Sequence, residues 1–163
     1  MGDNYIVING KRVELTEEQL QQLGIKVSNN KRWRAKENEK YYRVDTFNRV
    51  SSFWETYSEE DTMVYNSHNY FKTKEEAEKY ARVLKTEMLL RKYADEHNKD
   101  VPWDGRCRHY FFYFNIDSKV ICTDYYTCSK EARKIYFSSR EIAKAAIEEI
   151  GEERIKEYLT YEW

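Results

Sequence analysis

The chain has 163 residues, which by length is one domain or two small ones packed together. Its net charge of -1 excludes a global field that would attract nucleic acid, and its 40% hydrophobic fraction is low but sufficient for a core. The 16% aromatic fraction, with 15 tyrosines, argues against disorder and means that much of the core consists of rings.

The residues that could bind a metal ion are few. The cysteines and histidines are Cys107, Cys122, Cys128, His68, His97 and His109. The cysteines form no C-x-x-C pair. An odd number of cysteines in a chain of this size indicates a reduced, cytoplasmic protein, and we expect neither a metal site nor a cofactor. The N-terminus has no signal-peptide pattern, and no apolar run approaches the ~20 residues that span a bilayer.

An N-terminal ββα unit is predicted over residues 1–25. Asn9-Gly10 favours positive φ and lies between two short strand-like segments, which predicts a hairpin. Thr16 and Gln19 then form a capping box, and Gly24 ends the short helix. A unit this small has to pack on the rest of the chain or on a partner.

A first βββα unit is predicted over residues 31–98. Its three strands are expected at 40–47, 50–54 and 62–71, and an acidic loop is expected at 59–61. Thr73 and Glu76 form a second capping box. Apolar residues at helical spacing, Met88 among them, predict a buried stripe on a long helix that ends near His97.

A second βββα unit is predicted over residues 105–160. It begins with five consecutive aromatic residues, Tyr110 to Phe114, which predict a strand that is covered on both faces or nearly so. Two further strands are expected at 119–128 and 134–137, and two closing helices are expected at 139–150 and 152–159. Ser138 and Glu141 form the third capping box, and Gly151 separates the two helices.

The two βββα units share a strand-to-helix junction. Residues 69–77 align with residues 135–143: a Tyr-Phe strand end, a hydroxyl N-cap, an acidic first turn and a buried alanine. We therefore expect an α+β fold, in which an N-terminal ββα unit precedes two tandem βββα units with antiparallel sheets. Either a duplication or two solutions to the same junction accounts for the similarity.

Cations and aromatic side chains are combined in the segment that leads into the first βββα unit. The predicted partner-binding residues are those of this segment and two cations of the long helix: Lys31, Arg32, Trp33, Arg34, Lys36, Tyr41, Arg43, Arg91 and Lys92. The combination suits a phosphate backbone with stacked bases, and it equally suits an acidic protein surface. The alternative is a solvated edge strand that is guarded by cations.

Residues 40–84 also resemble the AP2-type DNA-binding domain, in which a three-stranded sheet enters the major groove before a helix. The glycine usual before the strand-end Phe is missing here, and an acidic group would repel phosphate: Glu55, Glu59, Glu60 and Asp61. No nucleophile-base-acid set is recognisable, so no catalytic residue is predicted. A nuclease that is built from scattered carboxylates is the remaining enzymatic alternative.

The segments 69–78 and 135–152 resemble small accessory proteins of phages and prophages of Gram-positive bacteria, over residues 36–160. In those proteins a Phe-Lys-Thr-Lys-Glu-Glu-Ala-like turn precedes a long helix, and a Tyr-Phe-Ser-Ser helix pair follows. The resemblance implies a non-enzymatic inhibitor in the host-cell cytoplasm that binds a bacterial defence protein. The most concrete case is an anti-CRISPR that acts on an RNA-guided nuclease or its guide complex. Nucleic acid is the alternative partner, and a homodimer is a further candidate because so aromatic a chain can carry more apolar surface than it covers.

Overall fold

The computed structural model describes residues 5–8, 11–16, 19, 22–23, 32–132 and 134–162. The chain divides into two compact units, Met1–Trp33 and Arg34–Trp163. Among the described residues, no helix is both long enough and apolar enough to cross a membrane.

The first unit contains the predicted hairpin. Strands β1 (Tyr5–Ile8) and β2 (Lys11–Glu14) are antiparallel. The predicted capping box follows: the Thr16 N–H donates to Gln19 Oε1 at 2.9 Å, and the Gln19 N–H donates to Thr16 Oγ1 at 3.3 Å. The Asn9-Gly10 turn and Gly24 lie outside the described residues.

The described part of the second unit contains four helices and two antiparallel two-stranded sheets, so the fold is α+β. Its elements are β3 (Lys40–Val44), β4 (Val50–Trp54), α1 (Glu59–Asn66), α2 (Lys74–His97), β5 (His109–Asn115), β6 (Val120–Tyr126), α3 (Arg140–Ile150) and α4 (Glu152–Leu159). Strand β3 pairs with β4, and β5 pairs with β6. The boundaries predicted for two successive units at 31–98 and 105–160 stay a prediction.

The prediction of an acidic loop and a third strand over 59–71 is wrong, because α1 occupies most of this segment. Ser58 caps the helix: its hydroxyl accepts from the Asp61 N–H at 3.1 Å, while the Asp61 carboxylate accepts from the Ser58 N–H at 3.2 Å. The acidic residues therefore form the first turn of a helix, where negative charge is favoured by the helix dipole.

One β-bridge stands where each third strand was expected. Phe71 exchanges two backbone hydrogen bonds with Tyr42, both at 2.9 Å. Phe137 exchanges two with Tyr110, at 2.8 and 2.7 Å. The predicted strand at 134–137 is therefore wrong except at its last residue. Both bridges join the chain just before a helix to the first strand of the preceding hairpin.

The helix starts follow the predicted chemistry closely. Thr73 and Glu76 form a capping box, and α2 ends at His97 as expected. The cap of α3 lies one residue later than predicted, because Ser139 rather than Ser138 accepts the hydrogen bond from the Ile142 N–H.

Helix α2 contributes to two hydrophobic clusters of the second unit. Its first half packs Ala77 and Ala81 with Val44 of β3. Its second half joins a larger cluster with β5 and the last two helices: Leu90, Tyr93, Ala94, Phe112, Phe137, Ala143, Ala146, Ile150 and Ile155. The aromatic strand β5 is buried at Phe111 and Phe112, but Tyr113 is 41% exposed, so both faces are covered only over part of its length.

Candidate interaction surface

The predicted basic segment spans the division between the two compact units. Lys31 lies outside the described residues. Arg32 and Trp33 are half-buried and end the first unit, whereas Arg34 begins the second. Within the second unit, the structure places the predicted contact residues in three different settings.

Tyr41 is not a surface residue, so its prediction as a partner contact is wrong. Its ring is 0% exposed and stacks on Tyr70, with centroids 4.0 Å apart and planes inclined by 11°. Its hydroxyl donates to Asp61 Oδ1 at 2.7 Å. Tyr41 shares its face of β3 with Arg43, and Tyr70 and Asp61 cover its side chain, so it is not available to a partner.

Arg34 is held inside the fold by an ion pair. Its Nε donates to Glu55 Oε2 at 2.9 Å and its Nη2 to Glu55 Oε1 at 3.2 Å, in the fork geometry that suits a carboxylate. Nη2 also donates to Thr62, and the guanidinium lies 5.0 and 5.1 Å from the ring centroids of Tyr57 and Tyr65. Reversing this charge would therefore perturb the fold as well as the surface.

Glu55, the partner of Arg34, is a fully buried carboxylate. The Tyr70 hydroxyl donates to it at 2.6 Å and the Tyr57 N–H at 2.7 Å. Burial acts to raise the pKa of Glu55, but the hydrogen bonds from Arg34, Tyr70 and Tyr57 outweigh it and hold the pKa below its usual value. Burial and the bond to Glu55 raise the pKa of Tyr70, so the phenol stays neutral beside the charge.

Asp61 is the second buried carboxylate. Besides Tyr41, it accepts from the N–H and hydroxyl of Thr56 and from the N–H and hydroxyl of Ser58, at 2.8 to 3.2 Å. Burial opposes ionisation, but these bonds together hold its pKa well below the usual range. Glu55 and Asp61 therefore serve the fold, and the expectation that they would repel phosphate at a surface is wrong.

Arg43 is also largely engaged within the chain. Its guanidinium lies 3.8 Å from the centroid of the Phe53 ring, and Nη1 donates to Glu60 at 2.7 Å. Only 21% of its side chain is exposed. A role for Arg43 in partner binding stays a prediction.

The remaining predicted cations are exposed. Lys36 lies in the loop before β3, and Arg91 and Lys92 lie on α2. Arg91 pairs with Glu87 at 2.6 Å and Lys92 with Glu96 at 3.7 Å, each one helical turn away. Their roles as contacts also stay predictions.

A groove of about 860 Å³, here called the α2 groove, lies between the turn that joins β3 to β4 and one side of α2. Its apolar lining comes from Phe47, Val50, Ala81, Met88 and Leu89. Phe47 is 77% exposed and Met88 is 67% exposed, so the prediction that Met88 belongs to the buried stripe is wrong. The sequence signal that was missed is a large apolar residue at the tip of a hairpin turn.

The charged lining of the α2 groove is predominantly basic. Among the described residues, its charged lining consists of four cations, Lys74, Arg82, Lys85 and Lys92, and one carboxylate, Glu78. Of the predicted contact residues that the structure describes, only Lys92 lines this groove. The geometry thus combines exposed apolar side chains with positive charge at a site that is distinct from the predicted basic segment.

Comparisons of the chain with protein-family models, with curated proteins and with solved structures found no match. Within the described ranges, no three His, Cys, Asp or Glu side chains are grouped so that they could hold a metal ion.

Proposed function

We propose that the protein is a phage-encoded inhibitor that works by binding a bacterial defence protein, most concretely an RNA-guided nuclease. The α2 groove carries the binding part of the proposal, because large exposed apolar side chains beside positive charge are typical of protein-binding surfaces. The class of target comes from the resemblance of segments 69–78 and 135–152 to phage accessory proteins.

A protein partner is favoured over nucleic acid because cations of the predicted basic segment are already neutralised. Arg34 is paired with Glu55, and Arg43 with Glu60, at 2.9 and 2.7 Å. Affinity for nucleic acid comes largely from cations that are available to neutralise phosphates. Pairing within the chain removes these two from that role.

The experiment that tests the proposal begins with the purified, tagged full-length chain in lysate of a Gram-positive bacterium that carries an RNA-guided nuclease. Bound proteins are identified with and without nucleic-acid digestion, and the chain is then titrated into DNA cleavage by the purified nuclease and its guide. We expect capture that survives digestion and cleavage that stops near equimolar ratio. Cleavage that continues at a large excess of the chain would refute the proposed target.

A nucleic-acid-binding accessory protein is the second candidate, and one contact favours it. Trp54 at the end of β4 is 58% exposed, and the ammonium of Lys40 lies 4.9 Å from its ring centroid. An exposed ring can stack on a base while a neighbouring cation neutralises the phosphate. Binding of a single-stranded oligonucleotide should then fall steeply with salt and be lost in Trp54→Ala, whereas a flat salt response would count against this candidate.

We also propose that the two hairpins of the second unit with their following helices are tandem copies of one module. The equivalent bridges of Phe71 to Tyr42 and of Phe137 to Tyr110 support this. Amide hydrogen exchange provides the test: both phenylalanine N–H groups should be protected, and fast exchange at either would contradict equivalent junctions.

A further inference from the structure

The residues of α2 that line the α2 groove have a regular spacing along the helix. Six lining residues recur at intervals that alternate between four and three: Lys74, Glu78, Ala81, Lys85, Met88 and Lys92. This spacing places all six on one side of α2. At 1.5 Å per residue, the stretch from the first to the last is about 27 Å long. The groove is therefore long enough to hold a second helix along α2.

The middle of this stretch offers an apolar floor and exposed apolar anchors. Ala81 forms the floor, because it is only 7% exposed and already packs on Ala77 and Val44. Met88, 67% exposed, is flexible enough to adapt to a partner side chain. Phe47 stands on the opposite side of the groove at the hairpin turn. A helix in the groove would bury Met88 and Phe47 against its own apolar residues.

The charges along the groove determine which helix fits. The pairs Lys74–Glu78 and Lys92–Glu96 are exposed contacts between residues one turn apart, at 3.1 and 3.7 Å. Exposed pairs of this kind contribute little to stability, so the lysines can turn to a partner carboxylate at little cost. Arg82 donates to Glu157 of α4 at 2.8 and 3.1 Å and is therefore engaged within the chain, so the available charge comes from the lysines.

A second copy of the chain is a poor occupant of the groove. Two copies of this face would bring Lys74, Lys85 and Lys92 of each chain against one another, and like charges at an interface are repulsive. A bare polyanion would match the cations but would leave Phe47 and Met88 exposed.

From these observations we propose that the α2 groove binds an acidic amphipathic α-helix of the partner protein, an inference that rests on the proposed binding function. The apolar stripe of that helix packs on Met88 and Phe47. Carboxylates on its flanks pair with the lysines along α2.

A synthetic peptide tests the inference directly. The probe is a fluorescein-labelled peptide of about 18 residues, the length of the open stretch, with leucines at alternating intervals of three and four and with glutamate and alanine elsewhere. A control peptide has the same composition but distributes its leucines around the helix. In fluorescence anisotropy at low salt, we expect the full-length chain to bind the amphipathic peptide roughly tenfold more tightly than the control.

Two matched methionine variants locate the site. Met88→Glu places a negative charge in the groove, of the same sign as the peptide's carboxylates, and should weaken binding of the amphipathic peptide roughly tenfold. Met63→Glu is the control, because Met63 is 66% exposed on α1 and does not line the α2 groove, so affinity should not change. Both substitutions are at exposed positions, and circular dichroism should confirm that both variants fold.

Several results would overturn the inference. Equal affinity for both peptides, or equally tight binding of a single-stranded oligonucleotide, would mean that charge alone attracts the ligand. Absence of peptide binding, or equal effects of Met88→Glu and Met63→Glu, would remove the groove as the site. If Met88→Glu abolishes peptide binding but still stops nuclease cleavage, the inference fails while the proposed function stands. If peptide binding follows the expected pattern but the unaltered chain does not inhibit cleavage, the proposed target fails while the groove remains a helix-binding site.

Discussion

Removal of Arg34 should destabilise the second unit strongly, because it leaves Glu55 ionised and buried. In Arg34→Met, the aliphatic part of the side chain is kept and the guanidinium is lost. Breaking a buried ion pair from one side costs about 3–5 kcal/mol. We expect the lower end, about 3 kcal/mol, because Tyr70 and Tyr57 still donate to Glu55 and because a quarter of the Arg34 side chain is exposed.

Thermal and urea denaturation, followed by circular dichroism, measure this effect. At roughly 2–4 °C per kcal/mol for a chain of this size, the Tm should fall by roughly 6–12 °C. The control is Arg49→Met, which removes a guanidinium whose side chain is 71% exposed and which pairs with Asp45 at 2.9 Å. Exposed pairs are worth about 0–1 kcal/mol, so this variant should stay close to the unaltered chain.

A double-mutant cycle separates the ion pair from simple loss of packing. Glu55→Gln removes the buried charge, so adding it to Arg34→Met should cost much less than it costs alone. We expect a coupling energy of about 1–3 kcal/mol. Additive effects of the two substitutions, or a loss in Arg34→Met no larger than in Arg49→Met, would refute the reasoning.

Three further predictions follow from hydrogen bonds within the chain. The pKa values of Glu55 and Asp61 are lowered in the folded chain, so the unfolded chain binds more protons in acid. The Tm should therefore stay constant down to about pH 5 and fall below about pH 4. A Tm that is unchanged at about pH 3 would contradict this. Asn69→Ala removes the two side-chain hydrogen bonds to the Val44 backbone, at 2.8 and 2.6 Å. The free energy of unfolding, measured by urea denaturation, should fall by about 1–2 kcal/mol. A fall below measurement error would show that water replaces the amide. Ser139→Ala removes the N-cap of α3 and should lower the free energy of unfolding by about 1 kcal/mol; Ser138→Ala is the matched control and should cost less.

The sequence predicted those elements whose signals are local. The capping boxes at Thr16 and Thr73 and the hairpins around 9–10 and 45–49 depend on neighbouring residues, and each was placed within a few positions. Helix α1 was missed because its acidic first turn was interpreted as a loop, although Ser58 and Asp61 have the spacing of a capping box.

The buried polar network could not be predicted in the same way. Arg34 and Glu55 are 21 positions apart, and each belongs to a residue type that is usually exposed. Their pairing depends on how β4 and α1 pack, which no periodicity records. The same holds for the α2 groove, since the exposure of Met88 follows from where the hairpin turn ends relative to the helix.

Because α2 belongs to two hydrophobic clusters, a ligand along it does more than occupy a surface. One side of α2 between Lys74 and Lys92 lines the groove, and the same helix contributes Leu90, Tyr93 and Ala94 to the core beneath β5. Any opening that frees this helix from one cluster loosens the other, so a partner that binds the folded groove stabilises both by mass action. A partner bound in the groove should therefore slow amide exchange in β5 and β6, far from the contact itself, and the chain should resist proteolysis best while that partner is bound.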